Sequence, residues 1–161
     1  MKKLLLLLIL TLLSCNRKNT ELKALQSRID SLEAKLATTY KPGFGEFMSN
    51  IQVHHAKLWF AGQNQNWALA DFEIHEIMEN VEDIQKFETD RKESEVIEMI
   101  EPALDSVNAA IQKKDPEQFA QRYYILTKTC NKCHQDVDFG FNVIKVPDMQ
   151  TFSNQDFRPG N

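Results

Sequence analysis

Apolar residues recur at spacings of three and four along most of the chain, the period of a helix with one apolar face. The first such run has charged residues between its members and consists of Leu22, Leu25, Ile29, Leu32 and Leu36. This heptad pattern predicts a short coiled-coil stalk over residues 15–39. A seam this short is marginal as an isolated coiled coil. It either drives homo-oligomer formation through residues 20–39 or acts as a spacer.

Proline and glycine in residues 40–45 interrupt the helical pattern and predict a linker. The first helix after it is expected from about Glu46 to Ala61, with Gly62 as its stop. A second begins near the N-cap Asn66 and carries an apolar stripe at helical spacing: Trp67, Ala70, Ile74, Ile77, Val81 and Ile84. Two predicted helices therefore follow the linker directly.

The third predicted helix covers residues 93–113 and contains Pro102, which predicts a kink or a short helix followed by a longer one. The fourth opens with Asp115 as its cap, Pro116 at its first position and Gln118 completing a capping box. Strand-like alternation is missing from the sequence, and the connections are short. We therefore predict an all-α fold, an antiparallel four-helix bundle over residues 46–138.

Residues 139–161 form an irregular tail with several prolines. Its apolar residues are Phe141, Val143, Ile144, Val146, Phe152 and Phe157. A freely disordered tail would carry fewer such residues. We expect this tail to pack on the bundle.

The N-terminus has the features of an export signal: Lys2, Lys3, an apolar run, and Leu12-Leu13-Ser14-Cys15. The last four residues resemble a bacterial lipobox, which implies that residues 1–14 are removed and that Cys15 is lipidated. The alternative is an ordinary cleaved signal with an incidental cysteine. Either reading implies export, and lipidation anchors the stalk to a membrane. The residue after Cys15 is Asn16, not aspartate, which favours the outer membrane by analogy with lipoprotein sorting.

Charge adds little to this picture. Cleavage after residue 14 removes two of the 19 basic side chains and none of the 23 acidic ones, so the net charge falls from −4 to −6. A mildly acidic chain offers no basic surface for nucleic acid.

The strongest chemical motif is Cys130-Asn131-Lys132-Cys133-His134. Two thiols three residues apart can each form a thioether to a porphyrin vinyl group, and the following histidine is then placed to bind the iron axially. The motif predicts one covalent haem c held by Cys130 and Cys133, with His134 as an iron ligand. Trp59, Phe60, Trp67, Tyr123 and Tyr124 are expected to form the apolar wall around it.

The sixth iron position has several candidates. In an antiparallel bundle Met48 lies near the height of His134, whereas His55 lies about 10 Å further along the helix axis. His54 and His55 point about 100° apart, so at most one of them faces the haem. His55 is expected to line the haem pocket or to pack in the core. Met149 from the tail and an open, five-coordinate iron remain alternatives.

A haem motif that closes the last helix of a bundle resembles the class II c-type cytochromes, the cytochrome c′ group. The resemblance covers about residues 44–137. Low-spin members of that group use a methionine early in their first helix, which implies Met48 as sixth ligand here. The stalk and the long tail depart from the group's pattern.

These features predict an electron carrier, not an enzyme, that exchanges electrons with redox proteins or membrane oxidoreductases on the periplasmic side. The alternative is a five-coordinate haem protein that binds NO or CO. A third reading, a zinc or disulfide-exchange site, lacks a second cysteine pair and a preceding strand. His75, beside Glu73, Glu76 and Glu79, is expected on a solvated acidic face.

Overall fold

The structure is a computed structural model that describes residues 2–39 and 41–160, with side chains described for 20–39 and 41–160. In these ranges every regular element is a helix and no strand occurs, so the all-α prediction is confirmed. The chain divides after Lys41 into two compact units, close to the predicted linker. The predicted signal and the side chain of Cys15 lie outside the residues whose side chains are described.

The first unit contains helix α1, Lys2–Thr38. The five apolar residues of its heptad seam are between 46% and 64% exposed. Among the described residues, no helix combines the length and the apolar character that crossing a membrane requires. The seam of α1 is therefore an exposed apolar stripe on a long helix.

The second unit contains the remaining helices, joined by short connections. They are α2, Phe44–Gln63; α3, Trp67–Phe87; α4, Lys92–Val96; a 3₁₀ turn, Ile97–Ile100; α5, Glu101–Gln112; and α6, Pro116–Asp136. The region around Pro102 is a short helix followed by a longer one, as predicted, because proline is tolerated only in the first turn of a helix.

Side-chain caps determine where two of these helices begin. The Asn66 side chain accepts a hydrogen bond from the Leu69 amide at 3.2 Å. Asp115 Oδ1 accepts from the amides of Glu117 and Gln118 at 3.1 and 3.0 Å. Both caps were predicted. The capping box at α6 was not correct in detail, since the Gln118 side chain donates to Asp115 Oδ2 at 2.6 Å and not to a backbone group.

The core of the second unit lies between α2, α3, α5 and α6. Helix α2 packs on α3 and α6, α3 packs on α5, and α5 packs on α6. The apolar stripe of α3 is buried in full at Ile74, Ile77, Val81 and Ile84. Gly62 lets α2 approach α6 closely, because a Cβ there would overlap the ring of Phe119. Close packing of this kind makes the interior sensitive to added volume.

The tail, residues 137–160, contains no regular element. Phe157 is buried, its ring centroid lies 5.6 Å from that of Phe60, and Asn66 Nδ2 donates to the Arg158 carbonyl at 3.1 Å. Phe141 and Val143 are instead 81% and 71% exposed. The distal part of the tail is thus attached to the helices, whereas Phe141 and Val143, near the start of the tail, are on the surface.

Candidate functional site

A cavity of about 300 Å³ lies where α2, the 3₁₀ turn, the end of α6 and the tail meet. Its walls are mainly apolar and include Phe44, Ile51, Ile97, Ile100, Val137 and Ile144. Ligand cavities in proteins typically have volumes of about 300–1,000 Å³ and apolar linings with few polar groups. Cys130, Cys133 and His134 also line this cavity.

The two thiols lie on one face of α6, because residues three apart on a helix are neighbours. Burial raises the pKa of Cys130 to about 12, with a smaller contribution from the neighbouring Cys133. Burial also raises the pKa of Cys133, and the charge of Asp136 adds to the effect. Both sulfurs are therefore neutral thiols at neutral pH, unlike the thiolates of disulfide-exchange motifs.

Helix α6 ends just after the motif in a Schellman arrangement. The Phe139 amide donates to the His134 carbonyl at 2.7 Å, and the Asp138 amide donates to the Gln135 carbonyl at 3.4 Å. Asp138 adopts a left-handed conformation with φ of 68°, a position where glycine is usual. This turn reverses the chain, so the tail crosses back over the end of α6.

The reversed tail meets His134. The Nδ1 of His134 lies 2.6 Å from the Asn142 carbonyl oxygen. A carbonyl can only accept, so Nδ1 carries the proton and donates it to this bond. In the neutral imidazole Nε2 is then the unprotonated nitrogen. Metal-binding histidines commonly show this arrangement, with one ring nitrogen fixed by a hydrogen bond and the other available to the metal.

The candidate sixth ligands occupy different places. Met48 on α2 lines the cavity and is half-buried against the core. His55 lines it also and is buried. Met149 is 69% exposed and does not line the cavity. Met48 and His55 are thus the candidates that the fold brings to the same cavity as the C-x-x-C-H pentapeptide.

Hydrogen bonds within the protein engage both ring nitrogens of His55. Thr127 Oγ1 donates to the Tyr123 carbonyl at 3.0 Å, so it accepts from His55 Nε2 at 3.0 Å. The Tyr123 hydroxyl donates to the His55 carbonyl at 2.7 Å, and its oxygen also lies 2.9 Å from His55 Nδ1. Burial lowers the pKa of His55 to about 4. His55 is therefore a neutral residue of the core with no nitrogen left for a metal in this arrangement.

His54 faces α3 instead of the cavity. Its Nδ1 lies 2.6 Å from Glu73 Oε2, and its Nε2 lies 3.7 Å from Glu76 Oε2. Glu73 is 1% exposed, and its Oε1 has no hydrogen-bond partner among the described residues. The expectation of a solvated acidic face was wrong for Glu73, because the pairing with His54 turns this carboxylate inward. His75 is exposed and bonds the Asp71 carbonyl.

The aromatic residues expected to surround the haem lie elsewhere. Trp59, Trp67 and Tyr123 cluster around Phe119, with ring centroids 5.9 to 6.2 Å from it. Tyr123 precedes Cys130 by two helical turns, which places it about 10 Å further along α6. Phe60 contacts Phe157, and Tyr124 is 54% exposed. The prediction that these aromatic residues form the wall of the haem pocket was therefore wrong, since none of them lines the cavity.

Sequence reasoning missed Glu93, the one carboxylate among the described cavity-lining residues. Arg91 Nη2 donates to Glu93 Oε1 at 2.8 Å, and this hydrogen bond lowers the pKa of Glu93. Arg91 also lies over the ring of Phe44, 5.0 Å from its centroid. Position 93 was predicted only as the start of a helix, and no local signal connects it with the haem motif.

Among the described side chains, no three His, Cys, Asp or Glu residues are grouped so that they could hold a metal ion by themselves. The predicted haem would need fewer protein ligands than such a group provides, because a porphyrin itself supplies ligands to its iron. Comparison with family models, with curated proteins and with solved structures produced no match for this chain.

Proposed function

We propose that the chain is a membrane-anchored c-type cytochrome that carries one covalent haem and transfers electrons on the periplasmic side. One observation carries the proposal: the Nδ1–H of His134 is held by the Asn142 carbonyl, which leaves Nε2 unprotonated and available to an iron. This imidazole lines the same apolar cavity as the two thiols of the C-x-x-C-H motif. A bare disulfide or zinc site would not need such a cavity.

The proposed architecture is an antiparallel four-helix bundle similar to that of cytochrome c′. Its members are α2, α3, α5 and α6, with α4 and the 3₁₀ turn leading into α5. The ring of pairwise contacts between these four helices supports the assignment. Cofactor sites of helical bundles lie among facing helices, and the cavity has walls from α2 and α6 together with the 3₁₀ turn.

Each residue of the motif has a separate role. Cys130 and Cys133 would hold the haem through two thioethers, formed by adding their S–H groups across its vinyl groups without net oxidation or reduction. His134 would bind the iron from its Nε2. The haem, when bound, supplies one-electron oxidation and reduction, and the chain holds it and tunes its potential. The apolar walls keep the porphyrin away from water.

Met48 is the proposed sixth ligand, because it lines the cavity while both nitrogens of His55 are engaged by Thr127 and Tyr123. A thioether at this position raises the potential relative to a second imidazole. The second candidate function, binding of NO or CO at an open sixth site, follows if Met48 stays in the core. The hydrogen bonds of His55 favour these two options over bis-histidine ligation.

The anchor and the stalk complete the proposal. Export and lipidation at Cys15 tether the chain to a membrane, with the outer membrane favoured, and α1 keeps the haem domain close to membrane oxidoreductases or other redox proteins. The exposed seam supports self-association, which we propose is parallel. In the heptad register, Arg28 at position g and Glu33 at position e of the partner copy have opposite charges. No nucleic-acid partner is proposed.

The test is expression in a host that attaches haem, followed by intact-mass measurement and a pyridine haemochrome assay. We expect wild-type protein to gain the mass of one haem, and Cys130→Ala with Cys133→Ala to gain none. Lys132→Gln changes the same pentapeptide without removing a proposed attachment residue and should load normally. Wild-type protein without porphyrin under these conditions would contradict the proposal.

Optical spectra separate the two candidate functions. A low-spin reduced form that does not respond to carbon monoxide indicates Met48 ligation and electron transfer. Met48→Leu should then convert the protein to a high-spin, carbon-monoxide-binding form. A wild-type spectrum that is already high-spin and responsive indicates the open site instead.

A further inference from the structure

The second residue of the pentapeptide, Asn131, makes a matched pair of hydrogen bonds to the tail. Its Nδ2 donates to the Ile144 carbonyl at 2.7 Å, and its Oδ1 accepts from the Ile144 amide at 2.7 Å. A side-chain amide that bonds both backbone groups of one residue fixes the position and direction of that segment. We propose that Asn131 is a positioning residue that holds the tail against α6 and so determines the tautomer and donor strength of His134.

The geometry connects the two residues through a short stretch of chain. Ile144 is two residues after Asn142, whose carbonyl accepts from His134 Nδ1 at 2.6 Å. Asn131 and His134 lie three residues apart, on neighbouring positions of one helix face. The tail segment 142–144 is therefore attached to α6 at both ends, once by Asn131 and once by His134.

Few hydrogen bonds join this segment to α6. The tail has no regular element that could supply a ladder of backbone hydrogen bonds. Among the described residues, the hydrogen bonds between 141–147 and α6 are the two from Asn131 and the one from His134. Phe141 and Val143 are exposed and contribute little burial. The Asn142 amide also donates to the Phe139 carbonyl at 2.8 Å, and Val146 packs against the core. Without Asn131, the bond to His134 would be the one hydrogen bond described between this segment and α6.

The consequence for the iron rests on the proposed function. A histidine whose second nitrogen donates to a carbonyl is a stronger and better oriented ligand, and loss of such a partner commonly weakens metal binding 10- to 100-fold. A stronger donor stabilises the oxidised iron more than the reduced one. Removal of the Asn131 bonds should therefore raise the reduction potential.

The first test needs no haem. In the full chain produced without haem attachment, ¹⁵N NMR of the histidine rings reports which nitrogen carries the proton. We expect His134 of the wild type to be held as the Nδ1–H tautomer, whereas Asn131→Ala shifts it towards Nε2–H, the form that a free imidazole prefers. Lys132→Gln, the matched control in the same motif, should leave the tautomer unchanged. An unchanged tautomer in Asn131→Ala would overturn the inference.

Asn131→Asp is the graded variant, because it keeps the acceptor for the Ile144 amide but loses the donor. It should give a tautomer ratio between those of the wild type and Asn131→Ala. If circular dichroism shows that Asn131→Ala is unfolded, this variant tests the role of Asn131 instead. Haem-loaded protein provides the second readout. A tenfold loss in preference for the ferric state corresponds to an increase of about 59 mV for one electron.

The proposed cytochrome and the proposed role of Asn131 can be contradicted independently of each other. Wild-type protein that takes up no porphyrin contradicts the cytochrome, while the tautomer measurement still decides the role of Asn131. Haem-loaded Asn131→Ala with the wild-type potential contradicts the role of Asn131 and leaves the cytochrome intact. If the haem-free chain is unfolded, the potential is the deciding measurement.

Discussion

Helices α1 and α3 have the same apolar spacing but opposite environments. On α3 the residues Ile74, Ile77, Val81 and Ile84 are at most 1% exposed, whereas the seam of α1 is 46% to 64% exposed. Helix α3 buries its stripe against α2 and α5. The spacing of apolar residues therefore predicts a helix and its apolar face, but it does not predict which surface covers that face.

Because of this difference in exposure, the apolar faces of α1 and α3 contribute to stability in different ways. The second unit obtains its stability from packing within one chain, so single core substitutions should be costly. The seam of α1 can gain stability only by burial against another surface, and for the proposed coiled coil that surface would be a second helix. Substitutions there should affect association while the unfolding of the bundle stays unchanged.

A comparison of Leu58→Ala with Leu32→Ala tests most directly whether the second unit is stabilised independently of the seam of α1. Leu58 is 0% exposed and Leu32 is 64% exposed. We expect Leu58→Ala to lower the free energy of unfolding by about 2–5 kcal/mol and Leu32→Ala to change it by less than about 0.5 kcal/mol. Urea unfolding followed by tryptophan fluorescence reports on the bundle, because Trp59 and Trp67 both lie there. Equal losses would show that α1 contributes to the same folding unit.

Burial of His55 should also make the free energy of unfolding depend on pH. Its folded-state pKa of about 4 lies below the value of 6.5 for a free histidine, so the unfolded chain binds the proton more tightly. The stabilising contribution is complete above pH 6.5 and is lost as the pH falls towards 4, a total of about 3 kcal/mol.

The unfolding free energy of the wild-type protein should show this decrease, as a slope against pH, when it is measured between pH 7 and pH 4. His55→Gln should remove it, and His75→Gln, whose parent side chain is 56% exposed, should retain it. The same slope in wild type and His55→Gln would refute the assignment of a neutral, buried His55.

Gly62→Ala probes close packing between α2 and α6. The new Cβ would overlap the ring of Phe119, which is fully buried and has three aromatic neighbours. We expect a loss of about 1–3 kcal/mol from overpacking. Gly45→Ala is the matched control, since nothing lies within 4 Å of its Cβ position. It should be neutral or stabilise by about 0.4–1 kcal/mol. Thermal or urea unfolding distinguishes the two, and equal effects would contradict the contact with Phe119.

The smallest expected effect concerns charge pairing across the stalk. Arg28→Glu would place two glutamates opposite each other in a parallel pair and weaken association by about 0.2–1 kcal/mol per pair. Arg28→Glu combined with Glu33→Arg should restore it. Sedimentation equilibrium at low and high salt measures the change, because salt screens such pairs. A wild-type protein that stays monomeric at all concentrations would exclude the parallel pair.

Local chemistry explains what the sequence alone could predict. The caps at Asn66 and Asp115 and the short helix before Pro102 depend on neighbouring residues, and all three were found where predicted. Met48 and His55 also line the cavity of the haem motif, since both follow from helical spacing on α2. The predictions of haem attachment, lipidation and partners remain untested by the fold.

What could not be predicted depends on contacts distant in sequence. The bonds of His55 with Tyr123 and Thr127 span about 70 residues, and no periodic pattern links these positions. The tail is irregular, so nothing in its sequence places the Asn142 carbonyl beside His134. The pairing of His54 with Glu73 was missed for the same reason, because a carboxylate in an acidic run gives no sign that it is buried.

The left-handed turn at Asp138 also has a consequence for maturation. The chain is synthesised from its N-terminus, so the thiols and the imidazole emerge before the residues that fold back over them. In the proposed cytochrome, attachment of the porphyrin could therefore precede closure of the tail, and a maturation enzyme would meet an open end of α6. Closure afterwards would convert a loosely oriented ligand into a fixed one, as a separate and final step of assembly.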